Sequence, residues 1–156
     1  AVPAGYLAYV MSLFIVGIKL NRNSLFPFKC FKIDKTTIKS TWRQIVKTIF
    51  TSSFEEFFIR GSVQTILTLL MGEPFIPIII SVTIFVIMHC DRRRALIQVI
   101  DLTVFSLILS ILFCITNSIW IVAVIHIIRN SLLICFFNSK AVERKQSFGL
   151  KKYSYQ

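Results

Sequence analysis

Hydrophobic positions in this chain gather into long runs rather than short alternations. Five runs, at 2–20, 52–71, 74–90, 96–116 and 118–137, approach the ~20 residues that cross a hydrocarbon layer as a helix. Pro74 and Pro77 fall near the start of the third, where a helix tolerates proline. A basic connector separates the first two runs. In its later part Ile38, Trp42, Ile45, Val46, Ile49 and Phe50 recur at three- and four-residue steps, while Lys39, Arg43 and Lys47 occupy another face. That periodicity predicts an amphipathic helix lying at a membrane surface. Asp34 is its expected N-cap, with Thr36 and Thr37 behind it. The predicted fold is all-α: a polytopic membrane helix bundle of about five transmembrane helices plus one amphipathic interfacial helix. The expected organisation is a first membrane helix and basic connector (1–35), a core (36–137) and a basic tail (138–156). No internal repeat appears.

Composition supports this reading. The chain has 156 residues, 55% of them hydrophobic, including 15 Phe. Its mean hydropathy of +0.73 is too apolar for an ordinary soluble domain. The first run carries its positive charge after the apolar stretch, from Lys19 onward, which reverses the order of a signal peptide. Cys30, Cys90, Cys114 and Cys135 lack zinc-ligand or redox spacing and read as apolar filler or reduced thiols.

A net charge of +11 invites a nucleic-acid partner, but the placement of the charges argues against one. Of 18 Lys and Arg residues, eight lie between Lys19 and Lys47, three are Arg92–Arg94, and five lie between Lys140 and Lys152. The turns around Gly72-Glu73 and Thr116-Asn117 carry none. Five alternating spans therefore put all these cations on one side, which the positive-inside rule makes cytoplasmic. The N-terminus is expected outside and the C-terminus inside. The charge then reflects topology and attraction to anionic lipid, with no nucleic-acid partner.

The remaining two cations, Arg60 and Arg129, fall inside runs, as do several other polar residues that are costly there. In FEEFFIRG, Glu56 and Arg60 are four apart and stack on one helical face as an ion pair. Glu55 points about 140° away from Arg60 around a helix of ~3.6 residues per turn, leaving it for chemistry. Phe85 and His89 are four apart in the third run, His126 and Asn130 four apart in the fifth. Arg129 is expected to snorkel toward the basic side. Each set alone also has a structural reading: a charged helix start, an interfacial histidine, a polar contact between helices. Together they bring a carboxylate, two imidazoles and an amide from three spans, a credible water-activating set. One tension is depth. A helix starting at Ser52 would leave Glu55 at the surface, with His126 about 16 Å deeper at ~1.5 Å per residue. The tension disappears if the amphipathic segment runs on into the second span.

The ordered set Glu55-Glu56-Phe57-Phe58-Ile59-Arg60-Gly61, Phe85-Val86-Ile87-Met88-His89 and His126-Ile127-Ile128-Arg129-Asn130 resembles the EExxxR, FxxxH and HxxxN motifs of the CPBP family. That family comprises CAAX-type prenyl proteases and bacteriocin-processing, or Abi, proteins. The resemblance covers roughly residues 36 to 137. It implies a membrane bundle with a cavity open to the cytoplasm and an intramembrane endopeptidase that cleaves a membrane-proximal peptide or CAAX-like tail. By the same resemblance Glu55 with His89 would activate water, and His126 and Asn130 would stabilise the oxyanion. Glu56, Arg60 and Phe85 would support the site. The implied mechanism is metal-free. The alternative is zinc held by Glu55, His89 and His126, an acceptable ligand set. A short chain with little beyond the core fits a bacterial plasma-membrane member. The alternative function is a non-catalytic bacteriocin immunity-type membrane protein. A proton relay fits less well, since Asp101 is the one further acidic residue along the remaining spans.

Overall fold

The computed structural model describes residues 1–17, 35–89 and 96–153. Every element among them is a helix. Helix α1 spans Val2–Ile15. Helix α2 is continuous through three segments: Lys35–Glu56 in α winding, Phe57–Gln64 in π winding and Thr65–Met71 in α winding again. Helices α3, α4 and α5 span Phe75–His89, Leu96–Thr116 and Ile119–Tyr153. The expected N-cap Asp34 and the cations Arg92–Arg94 lie outside the described residues.

The two tight turns follow local chemistry. Gly72 takes the left-handed conformation (φ 72°) that ends α2. Glu73 then caps α3, its carboxylate accepting from the backbone N–H of Phe75 (2.9 Å) and Ile76 (3.2 Å). Asn117 (φ 47°) makes the left-handed turn between α4 and α5, a conformation asparagine tolerates better than most residues.

Contacts between helices fix their directions. Arg60 meets Ser106 and Gln64 meets Ser110, so α2 and α4 run parallel. Thr41, Ser52 and Glu56 meet Asn138, Asn130 and His126, so α2 and α5 run antiparallel. Helices Leu96–Thr116 and Ile119–Ala141 are long and apolar enough to cross a membrane, while Val2–Ile15 and Phe75–His89 are shorter apolar helices. The last helix continues to Tyr153, well beyond the expected end at 137.

Polarity is turned inside out. Among the described residues Arg60 is the largest wholly enclosed side chain, and Glu56, Gln64, Ser106 and Ser110 are buried with it. Phe14, Phe50, Leu69, Ile115 and Trp120 point outward. A soluble protein avoids such an apolar exterior, whereas a lipid-facing one requires it, with its polar groups satisfied internally. The amphipathic segment of α2 also follows this rule. It docks on α5 by a polar edge, Thr41 and Ser52, and turns Trp42 and Phe50 away from the bundle.

Two glycines allow close approach, with different consequences. A Cβ at Gly5 would lie 2.7 Å from Ile128 Cβ and 3.2 Å from the Ile125 carbonyl, atoms that cannot yield without moving α5. At Gly61 the nearest atom, also at 2.7 Å, is Ile119 Cδ1, the tip of a flexible side chain. Gly5→Ala should therefore cost about 1–3 kcal/mol through overpacking. Gly61→Ala should be near neutral, because alanine's helix advantage of about 1 kcal/mol offsets a small shift. Thermal unfolding of the two variants in detergent checks the order. Equal losses would contradict it.

Candidate active site

A stripe of four polar residues on α2, Ser52, Glu56, Arg60 and Gln64, forms the inner wall of the site, and all four are buried. In uniform α winding each four-residue step overshoots a full turn by about 40°, so such a stripe would drift off its face. The wider turns of the π segment reverse that drift. Hydroxyls help satisfy the carbonyls there: Thr65 Oγ1 donates to the Arg60 carbonyl (2.8 Å) and Ser62 Oγ to that of Phe57 (3.3 Å). Arg60 and Gln64 thus stay aimed at α4. Arg60 Nη2 donates to the carbonyl (3.1 Å) and hydroxyl (2.7 Å) of Ser106. Gln64 Nε2 donates to the Ser110 carbonyl at 3.1 Å.

Glu56 binds two partners through one oxygen. Its Oε1 accepts from Arg60 Nη1 at 3.1 Å and from His126 Nδ1 at 2.7 Å. The guanidinium also lies 4.8 Å from the centre of the Phe85 ring, a cation–π distance. Glu56 and Arg60 are completely enclosed.

Glu55, the preceding residue, faces the other way and is 22% exposed. Its Oε2 lies 3.6 Å from His89 Nε2 and 3.8 Å from His126 Nε2. The tautomers follow from the partners. His89 Nδ1 lies 2.9 Å from the Phe85 carbonyl, which can only accept, so Nδ1 holds a proton and Nε2 is the nitrogen turned toward Glu55. Phe85 also stacks on that ring, with centroids 4.3 Å apart. His126 donates from Nδ1 to Glu56 and likewise turns Nε2 toward Glu55. The separations are too long for direct hydrogen bonds but place all three atoms within reach of one small polar molecule. This edge of the group is reachable from outside at His89, 24% exposed, while His126 is held at 2%.

Asn130 lies one turn beyond His126. Its Oδ1 accepts from Arg129 Nη1 at 2.9 Å, and its Nδ2 points to Ser52 Oγ at 3.4 Å. The sequence-expected set of Glu55, His89, His126, Glu56, Arg60 and Phe85 is thus brought together, with Asn130 on the same face of α5 as His126. The depth tension disappears, because α2 starts at Lys35 and carries Glu55 to His126.

One expectation is overturned. Arg129 does not snorkel toward water: it is 5% exposed and ion-paired with Asp101 of α4. An enclosed carboxylate one helix away offered it a closer partner than the membrane surface. Ser52, Gln64 and Ser106 also escaped the sequence reading. The four-residue steps from Ser52 to Gln64 were the available signal for two of them. Ser106 left none, since a serine in an apolar helix commonly bonds its own backbone.

A family model described as type II CAAX prenyl endopeptidase Rce1-like matches residues 37–132, more than half of the chain and inclusive of all three motifs. No curated protein and no solved structure matches it.

Proposed function

From the premise that the chain belongs to the Rce1-like family of type II CAAX prenyl endopeptidases, we propose that it cleaves a membrane-proximal peptide or CAAX-like protein tail by glutamate-activated water attack. One observation carries the reading: a carboxylate and two imidazoles from three helices converge on one point, Glu55 Oε2.

Glu55 Oε2 and His89 Nε2 hold a water between them. The carboxylate takes its proton as the water oxygen attacks the scissile carbonyl carbon. His126 and Asn130 donate to the oxygen that becomes negative. To donate from Nε2 the His126 ring carries both protons, with the Glu56 carboxylate as counter-charge at 2.7 Å. When the C–N bond breaks, Glu55 returns its proton to the leaving nitrogen, so acid and base are one residue. Arg60 holds Glu56, and through it His126.

The bundle has five spans, with the N-terminus outside and the reactive edge facing the cytoplasm. Supporting this, Lys39, Arg43 and Lys47 lie along the part of α2 that pairs with Asn138, next to Lys140, and these cations gather at one end. The uncharged turn at Asn117 lies at the other end of α5.

Comparing membrane-peptide termini in cells that express the parent protein or Glu55→Ala tests the activity. Termini produced only by the parent support it and identify the substrate class. Identical termini, with both proteins folded in the membrane, would reject it.

A further inference from the structure

Beside the catalytic group lies a second buried ion pair, which the reaction above does not use. Arg129 of α5 pairs through Nη2 with Asp101 Oδ2 of α4. Its Nε donates to Ser12 Oγ of α1 at 3.0 Å. The guanidinium lies 4.3 Å from the centre of the Phe105 ring. Three helices and an aromatic face thus fix one side chain, and its remaining donor, Nη1, reaches Asn130 Oδ1 at 2.9 Å.

A carboxamide has two ends of similar shape and opposite function: oxygen accepts, nitrogen donates. Only the nitrogen end can stabilise an oxyanion. A guanidinium has donors and no acceptor, so it receives the oxygen end of Asn130 and refuses the nitrogen end. The NH₂ group must then face the opposite way, toward Ser52 Oγ on α2, one turn before Glu56.

We propose that Asp101 and Arg129 are positioning residues for catalysis: the pair sets which end of the Asn130 amide faces the substrate. The inference rests on the reading above in which Asn130 is an oxyanion donor. Asp101 touches no reacting atom. It holds Arg129 in place, and Arg129 selects the amide orientation. A cavity of about 350 Å³ borders Ser12, Gln98, Asp101 and Arg129. It leaves room for the longer side chain of Asp101→Glu, which should keep the pair and the activity.

The test replaces the pair rather than breaking it. An apolar pair of similar volume is often neutral or stabilising where a buried ion pair stood, so Asp101→Leu/Arg129→Met should fold. With the amide no longer oriented, kcat should fall about 10²-fold, the scale of one lost oxyanion donor, with KM nearly unchanged. In an Asn130→Ala background the same replacement should add no further loss, because residues acting as a unit are not additive. Independent multiplicative losses, or an unchanged kcat in the folded double variant, would overturn the proposal.

A second readout does not need activity. Selective ¹⁵N labelling of the chain's five asparagines allows the Asn130 side-chain amide to be assigned by its disappearance in Asn130→Ala. Its water exchange should accelerate at least ~10-fold when the pair is replaced, as expected for a group released from a fixed hydrogen bond. Unchanged exchange overturns the positioning role even if kcat falls. Accelerated exchange in a protein whose parent cleaves nothing upholds the positioning of the amide and instead rejects the protease reading.

Discussion

Glu55→Gln should lower kcat by about 10³-fold, within the range expected when a general base is removed, while leaving the bundle as stable as the parent. The two halves of this expectation have separate causes. Glu55 is partly open, and its oxygen stands 3.6 and 3.8 Å from the two imidazoles. The amide keeps the size of the carboxylate and cannot take a proton from water. A 10³-fold loss corresponds to about 4 kcal/mol of barrier, with KM little changed because the lost interaction belongs to the transition state. Steady-state kinetics on a prenylated tail peptide, paired with thermal unfolding in detergent, measures both. A variant that keeps more than about a tenth of the parent kcat would remove Glu55 from the role of base.

The adjacent carboxylate should fail in another way. Removing one partner of a buried ion pair costs about 3–5 kcal/mol, because the other charge stays enclosed and uncompensated. Arg60→Met strands Glu56 in this manner, since both side chains are fully enclosed and the guanidinium is its permanently charged partner, the His126 imidazole being the other group that meets it. The expected result is a large drop in unfolding temperature and poor accumulation in the membrane. The double variant Glu56→Leu/Arg60→Met removes both charges and should recover most of that stability. It should nevertheless stay inactive, because His126 Nδ1 loses the carboxylate that orients it at 2.7 Å. Unfolding curves of the single and double variants decide the matter. A single variant as stable as the parent would mean that Glu56 has another means of compensation.

Much of the site was legible because membrane burial makes polar residues conspicuous. In an apolar run a glutamate, histidine or arginine must have a reason, and four-residue steps indicate which of them share a helix face. Glu56 with Arg60, and His126 with Asn130, could be paired in this way from the sequence. Arg129 could not. Its nearest charged partner, Asp101, lies 28 residues away on the preceding helix, and no periodicity connects the two. The π segment was equally hidden, since FFIRGSVQ reads as ordinary helix and its widening depends on the face α2 must keep toward α4.

The sequence alone determined an all-helical chain with an apolar exterior, the ends of its helices at Gly72 and Asn117, and the few ionisable residues that had to face inward. These follow from hydropathy, turn chemistry and the cost of charge in lipid, which act locally. Tertiary structure alone decided which nitrogen of each histidine faces Glu55, that Arg129 pairs with Asp101, and which end of the Asn130 amide meets Arg129. Those choices depend on donors and acceptors supplied by other helices, at distances set only once the helices pack.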